Sequence, residues 1–133
     1  MRKNFLPLLV IGLVSLIGLG ALLHPDLYTA HDIWHQVARF YHYQAAVLDG
    51  QIPPYWVGTL AHGLGYPLFF FSYPLPWISG LPLLWAGLSL PDALKILFFA
   101  SYFFSGVFMY IFAKAFFKDR WAALLVATIY LWA

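Results

Sequence analysis

The chain has 133 residues, 63% hydrophobic and only 9% charged, with a net charge of +2 and no cysteine. Seven basic and five acidic side chains are too few to cover a water-facing surface, since about a quarter of the residues in an ordinary globular chain are charged, so a soluble domain is excluded and lipid is the expected solvent. Without thiols, disulfides, zinc–thiolate centres and cysteine nucleophiles are excluded, and the small, scattered charge excludes a nucleic-acid groove.

A basic start, Arg2-Lys3, precedes the uncharged run Phe5 to Leu23. As a helix this run covers about 28 Å, close to the hydrocarbon thickness of a bilayer. A cleaved signal peptide is the competing reading, but the apolar run is too long for one and no small-x-small site follows. Residues 1–23 are therefore expected to be a transmembrane anchor, with Arg2 and Lys3 holding the N-terminus in the cytoplasm.

Residues 24–67 differ in kind. They hold all five histidines (His24, His31, His35, His42 and His62) and three of the five aspartates. Polar and ionised groups are costly in lipid, so this segment is expected to be an extracytoplasmic loop. Within it, Thr29 to Leu48 reads as an amphipathic helix lying along the membrane surface. Thr29 and Asp32 have capping-box spacing, and Asp49-Gly50 ends the helix. Its apolar face would be Ile33, Val37, Phe40 or Tyr41, Gln44 and Leu48. Asp32, His35, Arg39 and His42, at i, i+3, i+7 and i+10, form a second, polar stripe. Trp34, Tyr41, Tyr43, Tyr55 and Trp56 read as interfacial anchors.

Pro53-Pro54 imposes an extended link, and Gly58, Gly63 and Gly65 make a loop up to Tyr66-Pro67. Leu68 to Leu90 is uncharged but interrupted by Pro74, Pro76 and Pro82, as in a kinked or re-entrant span. Leu90-Pro91-Asp92 starts a helix whose apolar body is Leu94 to Phe117, with Lys95 and Lys114 near its ends. After a tight turn at Phe117-Lys118-Asp119-Arg120, Trp121 opens a fourth apolar run of 13 residues to Ala133. Crossing a bilayer takes about 20, so residues 68–133 are expected to be spans cut short and the chain to be the N-terminal part of a longer protein. The fold class is all-α and polytopic. The length of Leu68 to Leu90 favours a full crossing, yet that crossing would put Lys114, Lys118 and Arg120 outside, against the preference of basic loops for the cytoplasm.

No Glu occurs, so carboxylate chemistry rests on Asp26, Asp32, Asp49, Asp92 or Asp119. The densest constellation is Thr29 to Arg39, and it has three readings. In the structural one, Asp32 caps the helix at its third position, while Arg39 and the histidines reach lipid phosphates. In the second, His31 and His35 match H-E-x-x-H with Asp32 for Glu, as a zinc hydrolase would require. Asp is one methylene short for that task, and only His42, His62 or Asp49 offers a third ligand.

The third reading covers residues 26–133. Asp32, His35 and Arg39, then Gly50-Gln-Ile-Pro-Pro-Tyr-Trp56, Gly63-Leu-Gly-Tyr-Pro-Leu-Phe69, Tyr73-Pro-Leu-Pro76 and Ala113-Lys114 through Leu125 resemble one family. It is the 6-pyruvoyl-tetrahydropterin synthase-related membrane domain, itself similar to the GT-C class of lipid-linked-sugar glycosyltransferases. Tyr55 departs from the family, which usually carries Arg there, and Ser72 to Leu75 has one proline fewer. The resemblance implies a GT-C-like N-terminal module in a bacterial or archaeal plasma membrane. Such an enzyme moves a sugar from a polyprenyl-phosphate donor to an extracytoplasmic acceptor, its partners being membrane lipid and that donor. It implies that Asp32 is the catalytic acid–base residue, or orients the acceptor or a divalent metal. His35, Arg39 and Tyr66 would bind substrate, with Arg39 meeting the leaving phosphate and His35 orienting Asp32 or donating to that phosphate. A non-catalytic membrane or transport component is the remaining alternative, although the spans carry almost no charge away from their ends. Donor sugar, acceptor and oligomeric state are not encoded in these motifs.

Overall fold

The computed structural model describes residues 5–133, so Arg2 and Lys3 lie outside the described residues. It is all-α: α1 (Phe5–Gly18), α2 (Ile33–Leu48), α3 (Leu75–Trp85), α4 (Leu90–Phe117) and α5 (Arg120–Trp132), with short 3₁₀ turns at Gly20–Leu23, Ala61–Gly63 and Leu68–Phe70. Two compact units share the chain, one formed by the residues up to Leu27 with Phe98–Ala133, the other by Tyr28–Leu97.

The first unit packs α1, the body of α4 and α5. Small residues let the backbones approach: Ala113, Ala123 and Ala127 are buried with Ile11, Tyr110 and Leu131. A methyl group placed on Gly106 would lie 2.8 Å from Leu131 Cδ1 and 3.0 Å from Ile11 Cγ2, so three helices meet over one missing side chain. α1 and α4 run antiparallel. Leu8 lines a groove with Lys114, Ile11 faces Gly106, Gly12 faces Phe103 and Gly18 faces Tyr102. The Tyr102 hydroxyl donates to the Leu131 carbonyl of α5. The C-terminal end of α1 therefore lies beside the point where α4 enters this unit, and the N-terminal end of α1 lies beside Lys114.

The outward faces are apolar. Phe104, Phe108, Phe112 and Phe116 on α4 and Leu125, Ile129 and Trp132 on α5 are exposed. α4 is 28 residues long, about 42 Å, and only 17% of its most apolar stretch is buried. A core helix of a water-soluble protein would be mostly buried; this one is clothed by neither protein nor polar side chains. Among the described residues it alone is long and apolar enough to cross a membrane by itself.

α1 stops sooner than its composition suggests. The α-helix ends at Gly18, and the chain tightens into the 3₁₀ turn, with Leu22 N–H donating to Leu19 O at 2.8 Å. Two poor helix formers, Gly18 and Gly20, flank the break. Gly18 itself leaves room for the Tyr102 hydroxyl, 3.1 Å from where a methyl would sit. Leu68 to Leu90 departs further from expectation. Only Leu75–Trp85 is α-helical, 11 residues or about 16 Å, roughly half the hydrocarbon thickness. Proline at the first turn helps start α3, and Gly87, at φ +91°, follows its end.

Side-chain chemistry marks the other ends. At the start of α4, Asp92 N–H donates to Ser89 Oγ (3.2 Å), whose hydroxyl donates to Asp92 Oδ2 (2.6 Å), a capping-box variant that begins the helix at Leu90. Asp119 caps α5, its Oδ1 accepting from the amides of Trp121 (2.9 Å) and Ala122 (2.7 Å).

The second unit packs α2 on α3. Phe40 and Trp77 lie 5.8 Å apart, and Phe40 fills the space above Gly80, where a methyl group would come within 2.4 Å of its ring. Tyr43 meets Phe69 edge to face at 4.9 Å. With Ile33, Ala46, Val57 and Leu81 these side chains form a core beneath a helix that is polar on its other side.

Candidate functional site

α2 carries the site. It begins at Ile33, four residues later than its sequence suggests, and Asp32 is the residue before the first turn. Ile33 is the first buried side chain, whereas Thr29 to Asp32 are exposed and have no packing to offset the cost of nucleating another turn. The expected Thr29/Asp32 capping box is not made. Asp32 forms no side-chain cap bond; its Oδ1 instead faces His31 Nδ1 at 2.9 Å, with both side chains largely exposed (66% and 98%). The carboxylate is thus presented to solvent with one histidine beside it. The histidine beside the carboxylate is His31 rather than His35.

His35, Arg39 and His42 follow at helical spacing, so the polar stripe runs the length of α2 as expected. The buried face is shifted from the expected one. Ile33 and Phe40 are buried, but so are Tyr43 and Ala46, while Tyr41 and Leu48 are exposed. α2 therefore has three sides: a core face, the polar stripe, and an unpaired apolar edge of Trp34, Tyr41 and Leu48 at i, i+7 and i+14.

The stripe leads to a pocket of about 120 Å³ at the C-terminal end of α2, lined by His42, Asp49, Gln51, Trp56 and Thr59. The sequence builds it locally. Asp49 and Gly50 close α2 in a Schellman motif, with Gly50 at φ +88°, Gln51 N–H donating to Ala46 O (3.0 Å) and Gly50 N–H donating to Val47 O (3.0 Å). The Gln51 amide then templates the next turn. Its Nε2 donates to Trp56 O (2.9 Å), and its Oε1 accepts from the amides of Tyr55 (3.3 Å) and Trp56 (3.1 Å). A cis peptide joins Ile52 to Pro53 within this turn. Trp56 lies flat over Gly65, whose φ of +82° and lack of a side chain both matter: a methyl there would fall 2.3 Å from Trp56 Nε1. Val57 and Tyr66 exchange backbone hydrogen bonds at 2.9 and 3.0 Å and close the loop.

Tyr66, expected at the substrate, sits half-exposed on that loop bridge, and no side-chain hydrogen bond joins it to Asp32, His35 or Arg39. The pair His31 and His35, required by the zinc alternative, gains no third ligand: among the described residues no group of three His, Asp or Glu side chains converges as a metal would need. Sequence reasoning gave Gln51 no role and read Trp56 as a lipid anchor. The signal that finds them is local, a hydrogen-bonding amide directly after a helix-ending Asp-Gly and directly before Ile-Pro-Pro.

Burial pushes the phenols of Tyr43 and Tyr28 above their usual 10.0. A raised phenol ionises first in the unfolded chain. The stability it contributes is complete below about pH 10 and is lost as the pH rises further. The Tyr43→Phe variant is expected to unfold at a higher alkaline pH than the native chain, as followed by circular dichroism along a base titration.

No family model, no curated protein and no solved structure matches the chain.

Proposed function

We propose that the chain belongs to a polytopic, GT-C-like glycosyltransferase that moves a sugar from a polyprenyl-phosphate donor to an extracytoplasmic acceptor. The observation that carries this reading is the polar stripe of α2. An exposed carboxylate paired with His31 stands at one end, Arg39 lies two turns along, and the Trp56 pocket lies at the other end. Asp32 takes the proton of the acceptor hydroxyl as the bond to the donor phosphate breaks, with His31 Nδ1 holding the carboxylate in place. Arg39 meets the departing phosphate with a fork of donors that a lysine lacks. The pocket's indole, carboxylate and amide suit a small polyhydroxylated group.

In this reading α1 continued by the 3₁₀ turn to Leu23, the body of α4 from Phe98 and α5 lie in the bilayer, and residues 28–97 do not cross it. Antiparallel α1 and α4 support that topology, because Gly18 near the end of α1 and Tyr102 near the start of the body of α4 lie side by side at one end of the first unit. The short α3 then has no crossing to make. Lys114, Lys118 and Arg120 then lie at the end of the first unit where α1 begins, the side that the preference of basic loops makes cytoplasmic. The exposed edge Trp34, Tyr41 and Leu48 rests at the membrane surface.

The test is turnover. The full-length protein in lipid vesicles is supplied with a polyprenyl-phosphate sugar and a soluble hydroxyl acceptor, and release of polyprenyl phosphate is followed. Release that depends on the protein supports the reading; none, with any donor sugar tried, contradicts it.

A further inference from the structure

A groove of about 620 Å³ runs along the first unit between α1 and α4, lined by Leu8, Val107, Tyr110, Ile111, Lys114 and Ala115. It is apolar for most of its length and ends at one cation. One observation sets it apart from a bare apolar face. The Lys114 ammonium lies 5.8 Å from the centre of the Tyr110 ring, and no carboxylate among the described residues pairs with it. Asp119, the nearest acid in sequence, is committed to the amides of Trp121 and Ala122. Lys118 and Arg120 add charge of the same sign to that end of the unit.

We propose that this groove holds one anionic phospholipid, an acyl chain lying along Leu8, Val107 and Ile111 and the phosphate diester meeting Lys114. A phosphate diester carries one negative charge, which matches the single lysine of the groove. The site differs from the donor site of the proposed transfer, where Arg39 on α2 takes the phosphate. The inference rests on the membrane reading alone and not on the chemistry of Asp32.

The experiment places the full-length protein in phosphatidylcholine vesicles containing phosphatidylglycerol and weighs the lipids retained after gentle extraction by native mass spectrometry. One phosphatidylglycerol is expected to be retained in preference to phosphatidylcholine. Lys114→Gln is expected to lower that preference about fivefold, what one basic side chain is worth at an anionic leaflet. Lys114→Arg should keep it, Lys118→Gln should lower it less than Lys114→Gln does, and Asp32→Asn should leave it unchanged. Native preference in Lys114→Gln overturns the proposal, as does an equal loss in Lys118→Gln or displacement of phosphatidylglycerol by polyprenyl phosphate. A chain that inserts but shows no preference overturns this inference alone; a chain that alkaline washing strips from the vesicles overturns the membrane reading with it.

Discussion

Asp32→Asn is expected to lower sugar transfer by about 10²- to 10⁴-fold, the range typical of losing a positioned acid–base group. The amide keeps the shape of the carboxylate and cannot accept the proton. Folding should be untouched, for two structural reasons. Asp32 makes no cap bond to α2, and its one partner, His31, is almost wholly exposed, so the pair contributes little to stability. A decrease in turnover with native circular dichroism and unchanged donor binding assigns Asp32 to the chemical step. Undiminished transfer by the folded variant would remove it from the mechanism. Replacing His31 with Gln should give a smaller decrease, because the carboxylate loses its neighbour and keeps its own chemistry.

The second large effect is on stability. Phe40→Ala is expected to cost about 3–5 kcal/mol, since it opens a cavity between α2 and α3 where Trp77 and Gly80 form the opposite wall. Gly80→Ala attacks the same contact from the other side. Its new methyl lies 2.4 Å from the Phe40 ring and 2.9 Å from Leu97 Cδ1, and overpacking of this kind costs about 1–3 kcal/mol. The two effects are coupled. In a Gly80→Ala background, Phe40→Leu should cost less than it does alone, because the smaller side chain vacates the space the methyl needs. Hydrogen exchange of the α2 and α3 amides measures each variant. Strictly additive costs would mean that Phe40 and Gly80 do not share one contact.

What could be read from the residues alone follows from where the determining chemistry is local. Asp49-Gly50 ends α2, and Leu90-Pro91-Asp92 opens α4, because the residues that cap a helix lie within a few positions of its end. The all-α class follows from long apolar runs without strand alternation. The start of α2 was misjudged because Thr29 and Asp32 have the spacing of a cap but no buried neighbour to hold that extra turn. The buried face was misjudged because Tyr43 and Tyr41 are equally plausible by composition; which one is covered depends on Phe69, twenty-six positions beyond Tyr43. The polar stripe was visible as a spacing, but the His31–Asp32 pairing was not, since it depends on a turn rather than a helix. The Trp56 pocket was hidden for a similar reason. It depends on a side-chain amide bonding to backbone four and five residues on, and on an indole lying over Gly65, and neither has a periodicity.

In the proposed topology the loop after α2 and the basic turn between α4 and α5 lie on opposite sides of a membrane. Because the chain has no cysteine, a single introduced one reports without background. Leu64→Cys, on the exposed loop, and Lys118→Cys, in the basic turn, are each treated in intact cells with a membrane-impermeant maleimide, then again after permeabilisation. Labelling is expected at position 64 in intact cells and at position 118 only after permeabilisation. Labelling of both from the same side would contradict that topology.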